Sequence, residues 1–228
     1  MVTESEVLEN YKNAVSRLNE ALAECGRNEK DVLIVGASKT MPAERLRFVA
    51  GNTGIKTFGE NRVQEFVGKY TPEFSWHFIG QLQTNKVKYI VDKVDLIHSV
   101  DRISLAEEID RQAKKHEKVQ DFLIEVNMGA EITKGGVSPS DVIDFAKQVD
   151  KFENISLKGL MSVLPNVSGD DLDAFYLQLS KLYDTLKRTK LVNADVRFLS
   201  AGMSNDYCVA VKYGANIVRL GRAIFGER

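Results

Sequence analysis

Residues 32–39 read VLIVGASK, an apolar and small run that ends abruptly on Lys39. A continuous run rich in Val, Leu and Ile, bounded by polar residues and followed by a helix start, reads as a parallel strand buried on both faces. In α/β folds, ligand sites gather where such strands end. A lysine at that tip has two readings. Either its ammonium snorkels to solvent on a flexible stem, or partial desolvation leaves a neutral amine that attacks a carbonyl. The rest of the chain decides between them.

An opening helix at about residues 3–25, closed by Gly26, precedes this strand. Beyond it, apolar strands are read near 56–59, 75–79, 95–99, 120–127, 155–162, 195–200 and 216–220. Amphipathic stretches fill the gaps: PAERLRFVAG, NRVQEFVGKY, QTNKVKYIVDK, RISLAEEIDRQAKKHE, SDVIDFAKQVDKF, DLDAFYLQLSKLYDTLKRTK and SNDYCVAVKYG, then a last short segment. Pro42, Asp101 or Ser104, and the Ser138-Pro139-Ser140 cluster are helix-start signals. Strands alternating with helices argue for a parallel sheet. Eight such units in about 200 residues fit the lower size range of a (β/α)8 TIM barrel. A doubly wound open sheet is the rival, but its glycine-rich first turn is missing from ASKTMP. No linker-like stretch divides the chain. The expected fold is therefore one α/β domain over residues 1–228, a (β/α)8 barrel with an additional N-terminal helix (1–27) packed on it.

Bulk properties narrow the function. A net charge of −1 offers no general attraction to nucleic acid or anionic membrane, so neither is expected as a partner. Cys25 and Cys208 lack metal-ligand spacing and fit reduced thiols of a cytosolic protein. The N-terminal stretch has no signal-peptide centre, and no run is long enough to span a bilayer. A soluble cytoplasmic protein is expected. No arm or coiled-coil stripe marks an oligomer, so a monomer is expected too.

In a barrel, chemistry collects at the carboxyl ends of the strands. Strand seven ends in LSAGMSND, where Gly202 makes a turn and Ser204 is placed to cap the next helix. Strand eight ends in IVRLGR. The loops after strands seven and eight are where barrels often hold phosphate. Gly221 would let the backbone approach such an anion, and Arg222 would neutralise it. The plainer reading is a simple cap at Ser204 and a solvent-exposed Arg222. Arg219, flanked by apolar residues, lies either inside the barrel or between barrel and helices, and a buried guanidinium needs a planar acceptor or an aromatic surface. With an amine across the mouth, a flat ligand bearing an aldehyde and a phosphate would engage all three features. Pyridoxal 5′-phosphate is such a ligand, with Lys39 as its Schiff-base partner and Arg219 at its ring nitrogen.

The motifs VLIVGASKT, FGENRVQEF, WHFIGQLQTNKVKYI, HSVDR, EVNMGAEITKGGV, LKGLMSV, LSAGMSNDY and IVRLGRAIFG follow in an order that resembles the pyridoxal phosphate homeostasis protein family. That family's fold is similar to the barrel domain of alanine racemase. The resemblance covers nearly the whole chain. It implies that Lys39 carries the cofactor, that Ser204, Gly221 and Arg222 surround the phosphate, and that Arg219 faces the pyridine nitrogen. Asn61, Met161 and Ser200 are implied in the lining, and Lys134 matches a family lysine of less certain role. Ala201 and the Ala215-Asn216 pair depart from the pattern. Arginine leaves the ring nitrogen unprotonated and weakens carbanion stabilisation. Alanine racemase also uses a second domain and a tyrosine from its partner subunit. Here only Glu227 and Arg228 follow Gly226, so no second domain is expected. The resemblance implies a protein of intracellular vitamin B6 homeostasis that holds the cofactor without established turnover, with apo-enzymes as recipients.

Other candidates are weaker. His77, His98 and His116 do not cluster in sequence, which argues against a metal site and for satisfied core histidines at the first two. No GxSxG elbow or Walker loop is present. Lys158 in LKGLM is the rival amine of a Schiff-base aldolase, but it lies about three residues before its strand ends, where an outer-layer lysine is the simpler reading. A small pyridoxal phosphate enzyme of the alanine racemase type is the other alternative. LYDTLKRTK reads as a solvated amphipathic helix.

Overall fold

The computed structural model describes residues 2–129 and 135–227. Its strands are β1 (Leu33–Ala37), β2 (Thr57–Glu60), β3 (Ser75–Phe78), β4 (Leu96–Val100), β5 (Gln120–Val126), β6 (Ile155–Ser162), β7 (Ala194–Ser200) and β8 (Ile217–Leu220). They close in sequence order into a parallel barrel. Helices α1 (Glu4–Glu24), α2 (Ala43–Asn52), α3 (Val63–Lys69), α4 (Ile103–Lys115), α5 (Val142–Val149), α6 (Asp170–Arg188), α7 (Tyr207–Lys212) and α8 (Arg222–Phe225) account for the amphipathic stretches. The exception is QTNKVKYIVDK, which forms a tighter 3₁₀ segment over Thr84–Tyr89 in place of an α-helix. Its Asn, Val and Tyr are indifferent helix formers, and the segment has no side-chain cap. Neither Asp101 nor Ser104 caps α4: Arg102 takes that position, and Asp101 instead pairs with its guanidinium at 2.6 Å.

Two layers of core follow from strands buried on both faces. Between barrel and helices, Phe58, Phe66, Phe74 and Trp76 pack edge to face, with the Phe58–Phe74 and Phe66–Trp76 centroids 4.9 and 5.4 Å apart. Trp76 Nε1 donates to Thr71 O at 2.8 Å, so the indole is buried with its polar atom satisfied. Inside the barrel, Val35, Leu96, Leu123, Met161 and Ile217 form a smaller cluster. Gly159 is required where β6 shifts register: at φ +144 its backbone runs so close to β7 that an added Cβ would stand 1.8 Å from Phe198 O.

The register fixes which loops are neighbours. Val35 pairs with Arg219 and Ala37 with Gly59, so β1 sits between β8 and β2. The Lys39 loop therefore adjoins the loops of Asn61 and Arg222 at one end of the barrel, so the amine stands beside the last loop and not across the mouth from it. Asn216, one of the departures from the family pattern, compensates for the short pairing of β7 with β8. Its amide oxygen accepts from Leu199 N at 2.8 Å and its amide nitrogen donates to Arg197 O at 2.6 Å. Ala201 is fully buried in the outer core.

The opening helix braces this closure. Thr3 and Glu6 form a reciprocal capping box at its start. Its apolar stripe of Val7, Ala14, Leu18 and Leu22 is buried, and α1 packs on α2, α7 and α8. Just beyond it, Arg27 Nη1 donates to Val211 O and Ala215 O at 2.6 and 2.9 Å, tying the brace to the turn before β8. Leu18 is fully buried, and Leu18→Ala is expected to cost about 2–5 kcal/mol of unfolding free energy, measured by urea titration.

Candidate functional site

At the carboxyl ends of the strands, a cavity of about 330 Å³ is lined by residues that include Lys39, Asn61, Ser204, Arg219, Gly221 and Arg222. Larger hollows lie elsewhere. One of about 710 Å³ opens at the amino ends of β1 and β2, beside Tyr11 and Lys30, and one of about 520 Å³ lies between Arg102 and Phe145. Neither joins an amine, a buried cation and a loop of anion-binding type. Size is therefore the weaker guide here.

Lys39 is half-buried, and the residues on either side of it are held in place. Ser38 is fully buried: its hydroxyl donates to Glu60 Oε1 at 2.5 Å, and its backbone N donates to Gly59 O. Lys69 Nζ donates to the same Glu60 oxygen at 2.7 Å and to Ser38 O at 3.0 Å. Thr40 adopts φ +65, an unfavourable region for a β-branched residue, and its N–H is held by Glu65 Oε2 at 2.8 Å. Asn61 follows directly from β2. Its backbone is packed by Gly80, where a Cβ would stand 2.3 Å from Asn61 O.

Arg219 lies inside the barrel and is 4% exposed. Nη1 donates to Ser200 O and Ser200 Oγ at 2.8 and 2.6 Å, and Nη2 to Ser162 O at 2.9 Å. These are the planar acceptors that a buried guanidinium needs. Burial pulls its pKa below the ordinary value, opposed by Tyr176, Asp206 and Glu125. Met161 and Ser200, in register on β6 and β7, are buried outside the cavity lining described above. Met161 belongs to the interior apolar cluster, and Ser200 touches Arg219 from within the barrel.

Ser204 does not cap α7. Its Oγ accepts from Ala223 N at 3.0 Å and so closes the start of α8, joining the last two loops. The α7 start instead has Asp206, whose Oδ1 accepts from Met203 N at 2.7 Å. Tyr176 OH donates to Asp206 Oδ2 at 2.6 Å, and burial together with that carboxylate raises the phenol's pKa well above its ordinary value. Arg222 is exposed, with Asn205 Oδ1 at 3.1 Å and Glu227 Oε1 at 3.3 Å. Lys134 lies outside the described residues.

Several groups near this site were not among the sequence candidates. Asp206 stands in the quoted SND, but nothing in that tripeptide points to Tyr176. Glu60 and Lys69 meet only because α3 folds back on β2, and that pairing has no sequence period. His77 and His98, read as separate core histidines, bond to each other at 2.9 Å, and His98 Nδ1 lies 3.0 Å from Ser200 Oγ. Burial lowers the pKa of His77 to about 4, against an opposing pull from Asp95. It lowers His98 well below the ordinary value, aided by His77 and Arg219. Lys158 is paired with Asp121 and Asp195, at 3.6 and 3.4 Å, in the first half of β6 and away from the cavity. Among the described residues no cluster of metal-ligating type occurs, both cysteines are free, and no helix is long and apolar enough to cross a membrane.

Glu125, on β5, has its pKa raised to about 7 by burial and by Asp101, with Arg219 pulling the other way. A carboxyl raised in the folded state binds its proton there more tightly than in the unfolded chain. Its contribution to stability is then full below pH ~4.5 and is lost as the pH rises through about 7. Urea midpoints measured from pH 4.5 to 8 are expected to carry this downward component. Glu125→Gln is expected to flatten it.

Residues 42–228 match the family described as alanine racemase, N-terminal domain. A pyridoxal phosphate homeostasis protein of Aquifex aeolicus is 44% identical over 225 residues, which span 96% of this chain and 97% of that protein. A crystal structure of an unknown protein from Bifidobacterium adolescentis is 29% identical, with a TM-score of 0.91 over 99% of this chain and 98% of its own. PipY of Synechococcus elongatus, solved with PLP bound, is 30% identical, with a TM-score of 0.79 over 92% of this chain and 100% of its own.

Proposed function

Because the chain belongs to the pyridoxal phosphate homeostasis protein family, we propose that it binds pyridoxal 5′-phosphate at the barrel mouth, attached covalently through Lys39. The observation that carries this reading is the meeting of Lys39, Arg219 and the Ser204–Arg222 loops in one cavity of about 330 Å³. That volume falls in the range of small-molecule pockets, roughly 300–1,000 Å³.

The donor set fits the ligand in three places. Lys39 presents an amine for the aldehyde carbon. The loop holding Met203–Asn205 and the start of α8 at Gly221–Arg222 supply a hydroxyl, backbone N–H groups and a cation to the phosphate. Three of the five Arg219 N–H groups are taken by Ser200 and Ser162, which leaves donors for a ring nitrogen. When bound, the cofactor supplies an electron sink next to its aldehyde carbon. Arg219 limits that sink, since a guanidinium donates a hydrogen bond to the ring nitrogen without giving up its proton.

The same reading makes the protein a holder of the cofactor with no turnover of its own. It works as a cytoplasmic monomer over residues 1–228 and delivers the cofactor to apo-enzymes. Free cysteines support a reducing compartment.

Purified protein mixed with pyridoxal 5′-phosphate is expected to turn yellow and, after borohydride reduction, to carry the label on the peptide containing Lys39. Lys39→Ala is expected to lose both. Label on Lys158, or on no lysine, would defeat the proposal. Racemisation or α-deuterium exchange across a panel of amino acids would replace the holder with an enzyme.

A further inference from the structure

Arg219 is the first member of a buried series that continues away from the cavity. Its Nη1 is 2.6 Å from Ser200 Oγ, Ser200 Oγ is 3.0 Å from His98 Nδ1, and His98 Nε2 is 2.9 Å from His77 Nδ1. All four residues are buried, Ser200 and His98 completely. The inner face of a barrel is a costly place for four polar side chains, so how their hydrogens are shared has energetic weight.

The cation sets the direction. A guanidinium has no acceptor, so Ser200 Oγ receives a hydrogen from Arg219. Two arrangements then remain for the hydroxyl hydrogen. If it points at His98 Nδ1, that nitrogen accepts, His98 carries its hydrogen on Nε2, and Nε2–H donates to His77 Nδ1. Every hydrogen-bonding atom from Arg219 Nη1 to His77 Nδ1 is then satisfied, with one proton per imidazole. In the reverse arrangement His98 Nδ1–H donates to Ser200, and the hydroxyl hydrogen has no other acceptor among the hydrogen bonds of the described residues. An unmade hydrogen bond of that kind, fully buried, costs about 1–3 kcal/mol. A second proton on His98 would force the same loss and place two cations either side of one hydroxyl. The charged groups acting on the pair are Arg219 at one end and Asp95 at the His77 end, and the outcome is two neutral rings.

We propose that Ser200, His98 and His77 form a one-way hydrogen-bond chain that holds Arg219 in the rotamer facing the ring nitrogen of the bound cofactor, with His98 as the positioning residue. This rests on the reading of the cavity as a pyridoxal 5′-phosphate site. Ser200 takes one Nη1 hydrogen through its hydroxyl and the other through its carbonyl. The guanidinium plane is thereby fixed from within the barrel, leaving its remaining donors to the cavity. Histidine suits the middle place because it accepts at one nitrogen and donates at the other while staying neutral.

Two measurements decide this. In cofactor-free protein with ¹⁵N-labelled histidine, His98 and His77 are expected as neutral Nε2–H tautomers at pH 7, and Ser200→Ala is expected to move the His98 Nδ1 resonance. A proton on His98 Nδ1 would overturn the chain. With pyridoxal 5′-phosphate added, His98→Leu is expected to shift the absorbance of the bound cofactor and to speed its release about fivefold, the loss of one neutral hydrogen bond. His98→Asn keeps an acceptor oxygen near the place of Nδ1 and is expected to restore both. A lower Tm in His98→Leu with unchanged spectrum and release would reduce His98 to a packing residue and overturn its positioning role. Wild-type protein that takes up no cofactor while keeping both tautomers would instead overturn the reading of the cavity.

Discussion

A permanent cation inside a closed parallel barrel is the constraint around which this molecule is arranged. Arg219 leaves β8 pointing inward and is 4% exposed, so few of its donors can turn to bulk solvent. Bringing a guanidinium out of solvent costs several kcal/mol unless its hydrogens are met. Ser200 and Ser162 meet them with two strand-end carbonyls and a hydroxyl. Those acceptors come from β7 and β6, so the arginine also fastens three strands at the end where β7–β8 pairing is shortest. The residue that fastens the strands also lines the cavity at their carboxyl ends. A carboxylate in its place would face the same carbonyl oxygens and repel them, so the barrel's own closure selects a cation at this position.

The second dependence runs through the last two loops. Ser204 reaches across to Ala223 N, and Asp206 holds Met203 N while Tyr176 holds Asp206. Each bond joins a different element, so the backbone N–H groups near the cavity are set by α6, α7 and α8 together. The opening helix presses on α7 and α8 from outside, and Arg27 secures the turn before β8. Preorganisation of this kind lowers the entropy lost when an anion binds. It also gives the N-terminal helix a reason to exist beyond burying its own apolar stripe.

What the sequence made legible followed from periodicity. Apolar runs marked every strand to within a residue or two, because most strand positions are covered on both faces and few polar residues interrupt the run. The mouth residues were legible for the same reason, since they stand where those runs stop. Where the sequence reading failed, two local alternatives of similar energy competed, or two distant residues met. Thr84–Tyr89 tightened into a 3₁₀ turn among weak helix formers. Ser204 sat at a plausible cap but found Ala223, which lies in the next β/α unit. Glu60 meets Lys69 because α3 folds back on β2, and His77 meets His98 across neighbouring strands inside the barrel. No spacing in the chain encodes either contact.

The pairing of Glu60 with Lys69 explains why Lys39 is held so tightly. One residue before it, Ser38 is bonded to a carboxylate that is fully buried and shared with Lys69. One residue after it, Thr40 stays in the left-handed region, a conformation that costs on the order of 1–3 kcal/mol and persists only where neighbours over-determine it. Glu65 supplies that restraint on the exposed side, and the Glu60–Lys69 pair supplies it on the buried side. Both Glu65 and Lys69 belong to α3, so a single helix clamps the backbone on both flanks of the amine. A buried ion pair contributes little net stability against an apolar replacement of the same shape. Its retention here is better explained by where it holds Ser38 than by how firmly it holds the fold. A long, flexible side chain reaches a fixed point in a cavity only when its own Cα is fixed, and the clamp provides that.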